Sequence, residues 1–324
     1  MRRRRILVVS DADSSFVRTD VELLGAFGDV DFFRYRGRKD LLRLLAAIVG
    51  ADLIVAWFVL GFATTSVLLG RLLRTPVILV VGGWDVVAVP EIGYGAMTSP
   101  DRIRKTRVAL RSASRVLAVS ESTRRETLQW VDREVDVLYN AVDTDFFRPE
   151  GQRSAQVVTV GGVSNDAGYR KKGLDVFLRV AGRMPEVRFV HIGRNAEPWE
   201  GKIRRASPAN VELMGFVTRE RLREAYRRSA VYAQLSYHES FGVSLVEAMA
   251  CGCAAVVTDR AALPEIVGGA GRVVPYGDVD ATVRTIREAL VDPDSGARAR
   301  DRAVEAFSVE RRKEGWRRAI EQVT

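Results

Sequence analysis

Ser236-Tyr237-His238-Glu239-Ser240-Phe241-Gly242-Val243-Ser244-Leu245-Val246-Glu247-Ala248-Met249-Ala250-Cys251-Gly252 follows directly on an apolar run at 231–234. The run reads as a short buried strand and the polar residues after it as a turn at its carboxyl end. The apolar spacing over 245–251 reads as a helix that opens near Phe241-Gly242 and stops at Gly252. Strand, tight turn and helix in that order make half of a βαβ unit, the building block of a parallel sheet. Gly242 leaves the N–H groups at the helix start open to an anion. The turn sets Glu239 at the strand's carboxyl end, and Glu247 falls within the first two helical turns. Two carboxylates beside an anion site suit a ligand that carries hydroxyls as well as phosphate. Taken singly, Glu247 reads more readily as an exposed helix residue and Glu239 as a helix cap.

The same rhythm extends in both directions. Strand-like runs fall at 6–9, 30–33, 53–59, 77–81, 115–119 and 135–138, with helical patterns at 17–27, 40–49, 66–73 and 122–130. A polar break carrying Pro149 and Gly151 follows at 148–154. The alternation then restarts, with strands at 157–160, 187–192, 211–214, 231–234, 254–257 and 271–274, and helices at 174–182, 218–228, 245–251, 263–267 and 280–291. The expectation is an α/β chain of two doubly wound, Rossmann-like parallel-sheet domains, 1–150 and 151–305. One last helix is read over 304–323. Open α/β sheets bind ligands beyond the carboxyl ends of their strands, so a cleft between the domains is the expected site.

Composition narrows the partners. At 324 residues, 47 % hydrophobic and 28 % charged, the chain has the make-up of ordinary globular domains. Its net charge is +9, with six lysines and therefore 50 − 6 = 44 arginines. That excess favours an anionic partner, or else reflects an arginine-rich coding bias. Aromatic residues are not interleaved with the basic runs, which argues against nucleic acid. The basic helical pattern at 102–111, with the arginines at positions 2–5, is read either as a solvated face or as a seat on an anionic membrane. Cys251 and Cys253 are too close for an easy disulfide, and two cysteines with two histidines are too few for a metal site. No metal and no cofactor are expected, and the setting is read as cytoplasmic, either free or peripheral on the cytoplasmic membrane face. The uncharged stretch 53–70 is 18 residues long but is read as a strand at 53–59, a turn, and a helix starting near Thr64.

The common phosphate signatures are missing. The first strand runs into Ser10-Asp11-Ala12-Asp13-Ser14-Ser15 without a glycine, and Val160-Gly161-Gly162-Val163 falls short of G-x-G-x-x-G. Neither a P-loop nor a G-x-S-x-G elbow occurs.

Glu239 and Glu247, spaced E-x7-E within F-G-x-x-L-x-E-A-M-A-x-G, resemble the signature of retaining glycosyltransferases of family 4, which have the GT-B fold. Lys172-Gly173-Leu174, Ile192-Gly193, Gly215-Phe216-Val217 and Leu263-Pro264-Glu265 extend the resemblance through the second half. Tyr139-Asn140-Ala141-Val142-Asp143 carries it, more thinly, into the first. The ending from Phe307-Ser308 to Trp316 resembles the family's last helix, so 306–324 would cross back onto the first domain.

The resemblance implies a hexose moved from a nucleotide diphosphate sugar to a hydroxyl of a glycan or lipid-linked acceptor, with retention and without metal. Glu247 would hold the ribose, and Glu239 the transferred sugar. Phe241, Gly242, Val243, Ser244 and Leu245, with Ser240, would line the diphosphate. Gly161 and Gly162 would form the glycine loop, and Gly193 and Val217 the nucleoside pocket. Lys172 would neutralise the leaving group. Asp85, in Gly82-Gly83-Trp84-Asp85, would orient the acceptor or, alternatively, cap a helix ahead of Val86. The chain departs from the family where Gly162 stands in place of an arginine; Arg170 or Lys171 is the proposed substitute, unless both are solvated loop charges. It also lacks a histidine over 58–65. A catalytically silent relative of the fold and a nucleotide-sugar epimerase are the competing readings.

Overall fold

The computed structural model describes residues 3–323, so Arg2 of the basic N-terminal run lies outside the described residues. In the first half, β1 (Arg5–Ser10), β2 (Asp29–Arg34), β3 (Leu53–Trp57), β4 (Val77–Val81), β5 (Arg115–Ala118) and β6 (Asp136–Val137) form one sheet. Its order is β2-β1-β3-β4-β5-β6 and every pairing is parallel. Every residue of β3 and β4 is buried, as a parallel strand covered on both faces requires. In the second half, β7 (Ser154–Val160), β8 (Arg188–Ile192), β9 (Val211–Gly215), β10 (Ser229–Gln234), β11 (Ala254–Thr258) and β12 (Arg272–Val274) form a second parallel sheet, ordered β12-β11-β10-β7-β8-β9. This is the Rossmann order of two mononucleotide-binding halves, whereas the first sheet has the flavodoxin-like order. The order reverses between β1 and β3 in one sheet and between β7 and β10 in the other. Each reversal leaves a crevice beyond the strand ends.

Among the described residues, 3–141 with 310–323 form one compact unit, and Val142–Val309 the other. The polar segment 148–154 lies inside the second unit. In the first unit the helices Leu41–Val49, Gly61–Leu73 and Pro100–Ser112 lie side by side on one face of the sheet. Leu44, Ile48, Phe62, Val67 and Leu110 pack there against Val9, Ile54 and Leu79. The uncharged stretch 53–70 is thus split between β3 and a helix. No helix among the described residues is long and apolar enough to cross a membrane.

The single helix expected over 304–323 is a pair, Ser295–Phe307 and Val309–Glu321. Between them Ser308 is extended, with φ −69° and ψ 159°. It bridges to Val142, whose N–H donates to the Phe307 carbonyl at 2.9 Å. That backbone pairing breaks the helical hydrogen-bond ladder at the point where the chain leaves the second unit.

The last helix is fixed to the first unit by a buried charge. Asp20 accepts from Arg312 Nε at 2.5 Å and Nη2 at 2.8 Å, from Trp57 Nε1 at 2.9 Å and from Trp316 Nε1 at 2.8 Å. Arg312 also donates to the carbonyls of Leu138 and Tyr139. Asp20 and Arg312 are almost wholly out of solvent, so removing one strands the other. Asp20→Ala is expected to cost ~3–5 kcal/mol, the usual penalty for breaking a buried pair from one side. Urea unfolding measures that loss, and limited proteolysis near Ser308 should show the last helix released; a loss below ~1 kcal/mol would remove the claim that this pair holds it.

Candidate active site at the β7/β10 crevice

Three loops meet beyond the ends of β7, β8 and β10. Gly161 N–H donates to Ile192 O at 2.9 Å, and Gly193 N–H to Gly215 O at 2.9 Å. The glycines are required by proximity. A Cβ on Gly193 would lie 2.5 Å from the Gly161 carbonyl oxygen, and one on Gly162 would lie 2.5 Å from the Arg194 carbonyl oxygen. On this backbone position 162 therefore excludes the arginine that the family resemblance would place there. The Nε2–H of buried His191 donates to Gly161 O at 2.8 Å and ties the same loop to β8. Burial holds His191 below the usual imidazole range, against the pull of that hydrogen bond.

After the glycine loop a short helix, Asp166–Lys172, is capped by Asn165, whose side chain accepts from Gly168 N–H at 2.7 Å. Gly173 ends it at φ +60°, and a Cβ there would sit 1.8 Å from the Leu235 carbonyl oxygen. Only glycine supplies both the left-handed backbone and that clearance. The helix end is thereby pressed against the end of β10, and Lys172 Nζ donates to Glu239 Oε1 at 2.7 Å. Gln234 and Ser236 also donate to that oxygen, at 3.4 and 3.3 Å. Burial works to raise the Glu239 carboxyl, but the charges of Lys172 and Lys171 and the Lys172 hydrogen bond outweigh it and hold it at about 2.

The two proposed replacements for the missing arginine differ in position. Arg170 is exposed and paired with Asp166 at 3.1 Å. Lys171 is half-buried and acts on Glu239 through its charge. Its carbonyl accepts from Tyr237 N–H at 2.8 Å, which fixes it beside the β10 turn.

The helix after that turn is Val243–Ala250, preceded by Gly242 at φ +95° with no side-chain cap. Phe241 and Leu245 send their side chains into the core, Phe241 edge-on to Phe307 at 5.4 Å, so these two residues can meet a ligand only through backbone. Ser240, Gly242, Val243 and Ser244 are half-exposed. Glu247 stands apart from the Lys172–Glu239 pair: its Oε2 accepts from Tyr226 Oη at 3.2 Å. Burial pushes Glu247 up to about 7, against the Tyr226 hydrogen bond and the charge of Arg219. The two glutamates thus ionise in widely separated pH ranges. Val217 is half-exposed just past β9, and beside it the Arg194 guanidinium carbon lies 5.3 Å over the ring of Phe216, which is 74 % exposed. The sequence motif Gly215-Phe216-Val217 includes Phe216, whereas Arg194 went unremarked, although each directly follows a glycine at a strand end.

Asp85 requires a correction. It is fully buried in a turn, caps no helix, and accepts from Val59 N–H and Gly83 N–H, both at 2.7 Å. Burial raises its carboxyl to about 6, with the backbone hydrogen bonds pulling the other way. It braces the loops after β3 and β4. What opens at the ends of β1 and β3 instead is a cavity of about 460 Å³, lined among others by Asp11, Tyr35, Arg36, Phe62, Arg102 and Lys105. Among the described residues no cluster of three or more potential metal ligands occurs.

Two parallel α/β units, with a glycine-lined, cation-bearing crevice at the sheet reversal of the second, define the GT-B class. The family models agree: residues 154–292 match "Glycosyl transferases group 1" and residues 6–146 match "Glycosyltransferase Family 4". The chain belongs to this glycosyltransferase family. It is 29 % identical over 220 residues to phosphatidyl-myo-inositol mannosyltransferase of Mycobacterium tuberculosis, covering 64 % of this chain and 57 % of that protein. It is 37 % identical over 82 residues to O-antigen chain mannosyltransferase B of Escherichia coli, covering 25 % and 22 %. The chain thus spans less than two thirds of the length of these relatives. In fold it is similar to Anabaena HepE in complex with UDP and glucose, with TM-score 0.78, 18 % identity, and 98 % and 99 % of the two chains covered.

Lys172→Met leaves the buried Glu239 carboxylate without its cation and is expected to cost ~1–3 kcal/mol at pH 7. Glu239 titrates at about 2 when folded against an ordinary 4.5, so its contribution is complete above 4.5 and disappears as pH falls through 2. The gap between wild type and variant should therefore narrow from pH 5 to pH 2 in urea unfolding; a gap independent of pH would mean the pair contributes nothing.

Proposed function

We propose that the protein is a retaining hexosyltransferase that uses a nucleotide diphosphate sugar and a hydroxyl acceptor on a glycan, cell-surface or lipid-linked. The observation that carries this reading is the Lys172–Glu239 pair at the β7/β10 reversal, beside a helix start that no side chain caps. In the proposed reaction the bond between the anomeric carbon and the diphosphate oxygen breaks, and its electron pair leaves with the diphosphate. The acceptor oxygen forms the new bond at that carbon with the anomeric configuration kept, and its hydroxyl proton passes to the departing diphosphate oxygen. Lys172, Lys171 and the N–H groups at the start of Val243–Ala250 meet the charge that develops on the leaving group. Held ionised, Glu239 accepts hydrogen bonds from sugar hydroxyls, and Glu247 accepts them from the ribose. No metal is invoked, because these groups supply the positive charge.

Support comes from the two family models and from the UDP and glucose in the HepE structure of similar fold. The two cysteines are free and buried, which suits the cytoplasmic setting we assign. One observation favours a silent relative instead: the glycine at 162 leaves that position without a cation. Such a protein would bind nucleotide sugar and release no hexose.

Lys172→Ala is expected to lower kcat by ~10²–10³, as removal of one group at developing charge does elsewhere, and Lys171→Ala to lower it less. Glu239→Ala should lower it comparably. Hexose release and transfer across a panel of nucleotide sugars tests this, and a Glu239→Ala enzyme as fast as wild type would sink the proposal.

Glu247 offers a pH test. Its folded value of about 7 lies above its ordinary 4.5, so between those values the unfolded chain is ionised first and stability falls as pH rises. Affinity for the donor should move the opposite way, rising from pH 6 to pH 8 as the carboxylate forms. Titration calorimetry at both values checks this, with Glu247→Gln expected to flatten the profile.

A further inference from the structure

β10 runs between β7 and β11 in the middle of its sheet, yet one of its two faces is polar. Val231, Ala233 and Leu235 point into the apolar core of the second unit. The alternate positions carry Tyr232, Gln234 and, just past the strand, Ser236, all three buried. A central parallel strand is normally aliphatic on both sides, because each buried polar group has to find partners to offset its lost hydration. These three find theirs in a chain.

Tyr232 Oη donates to Gln234 Oε1 at 2.7 Å, and Gln234 Nε2 donates to Ser236 Oγ at 2.8 Å and to Glu239 Oε1 at 3.4 Å. Ser236 Oγ donates in turn to the same carboxylate oxygen at 3.3 Å. At the far end the Ser244 side chain hydrogen-bonds the Tyr232 hydroxyl. Chemistry fixes the direction of the chain. Burial raises the Tyr232 phenol, which therefore keeps its proton and can donate it. Turning the Gln234 amide over would set its oxygen against the Glu239 carboxylate, acceptor against acceptor.

Oε1 of Glu239 thus receives Lys172, Gln234 and Ser236 together, and Oε2 is left to face a ligand. Lys172 is a point charge on a flexible stem, so it fixes the ionisation of the carboxylate more than its rotation. An amide locked between a phenol and a serine fixes rotation.

We propose that Tyr232 and Gln234 are positioning residues, which hold the Glu239 carboxylate in one rotation and tie it to Ser244 in the first turn of Val243–Ala250. This role rests on the reading of Glu239 as the group that holds the transferred sugar, and adds what aims that group. Packing alone does not call for the chain, since phenylalanine and methionine would fill the same volumes with no polar atom to satisfy. The charged groups around it are Lys172 and Lys171 on the short helix, His238 in the β10 turn and Glu247 on Val243–Ala250.

The test compares full-length Tyr232→Phe, Gln234→Met and Gln234→Glu with wild type and Glu239→Ala. Crystal structures without ligand read the rotation directly: Glu239 should take a turned or second rotamer in Tyr232→Phe and Gln234→Met, with Lys172 still beside it. With UDP-glucose and GDP-mannose as donors, both variants should lower kcat for hexose release by ~10–10²-fold, the usual cost of a misplaced group. Affinity of Gln234→Met for UDP or GDP, which carry no sugar, should stay within about twofold of wild type. A role in packing alone would move neither kcat nor the rotamer once thermal melts show the variant folded. Gln234→Glu keeps the shape, and the Lys172 charge leaves the introduced carboxyl to carry the proton that two close carboxyls share. Protonated, that carboxyl donates as the amide did. Its kcat relative to wild type should be close to wild type at pH 5 and fall by about tenfold or more by pH 8, as the proton is lost. An unmoved Glu239 in both structures overturns the proposal, as does a Gln234→Met enzyme as fast as wild type beside a slow Glu239→Ala. If Glu239→Ala itself matches wild type, the reading of the site falls, and the rotamer in the two structures still decides the positioning.

Discussion

At Gly173 the chain passes so close to the end of β10 that one added methyl group would overlap the Leu235 carbonyl oxygen. The chemistry of the second unit depends on this closeness. It presses the end of Asp166–Lys172 against the strand from which Glu239 emerges, and makes a 2.7 Å ion pair out of residues 67 positions apart. The neighbouring glycines obey the same logic, since Gly162 and Gly193 let two loops approach backbone to backbone, while a Cβ on Gly161 would meet the Lys172 side chain. Such loops leave no room for side chains between them, so the charged groups of the site have to arrive from the short helix and from the β10 turn.

Two glutamates eight positions apart come out chemically opposite for reasons visible in their surroundings. Both are shielded from water, which by itself raises a carboxyl. Glu239 has two lysines to overcome that and is held at about 2; Glu247 has a phenol and a more distant arginine, and stays at about 7. Pairs of carboxyls driven apart by their environment are a recurrent mark of sites that divide labour between an always-ionised group and a titrating one. Buried Tyr232 lies within the field of both, and their charges join its burial in raising its hydroxyl.

The fold was legible because its signals are local. Apolar runs such as Val77–Val81 and Ala254–Thr258 are buried at every residue, and a run of that kind bounded by turn residues has few other readings. The signature around Glu239 and Glu247 likewise lies within one strand–turn–helix unit. What escaped was set by partners far away in sequence. Asp85, at the end of Gly82-Gly83-Trp84-Asp85, offers no sign in the sequence that its carboxylate accepts from the Val59 N–H, 26 positions away. The break at Ser308 depends on Val142, and nothing in the amphipathic pattern around it marks a stop. Asp166–Lys172 has no apolar period to betray a helix; it is held by its Asn165 cap and by Gly173.

Gly162 can be understood from the same geometry. A cation supplied from a glycine loop needs a Cβ on that loop, and here the Arg194 carbonyl occupies the space. The last turn of Asp166–Lys172, beside that loop, carries Arg170, Lys171 and Lys172 in succession. A helix carboxyl end is where basic residues are most favourably placed, since they offset the partial negative charge of its unpaired carbonyls. Of the three, Arg170 is engaged by Asp166, whereas Lys171 and Lys172 direct their charge at Glu239. The cationic half of the crevice therefore rests on two lysines fixed by one glycine, and moving that glycine's backbone would displace both charges at once.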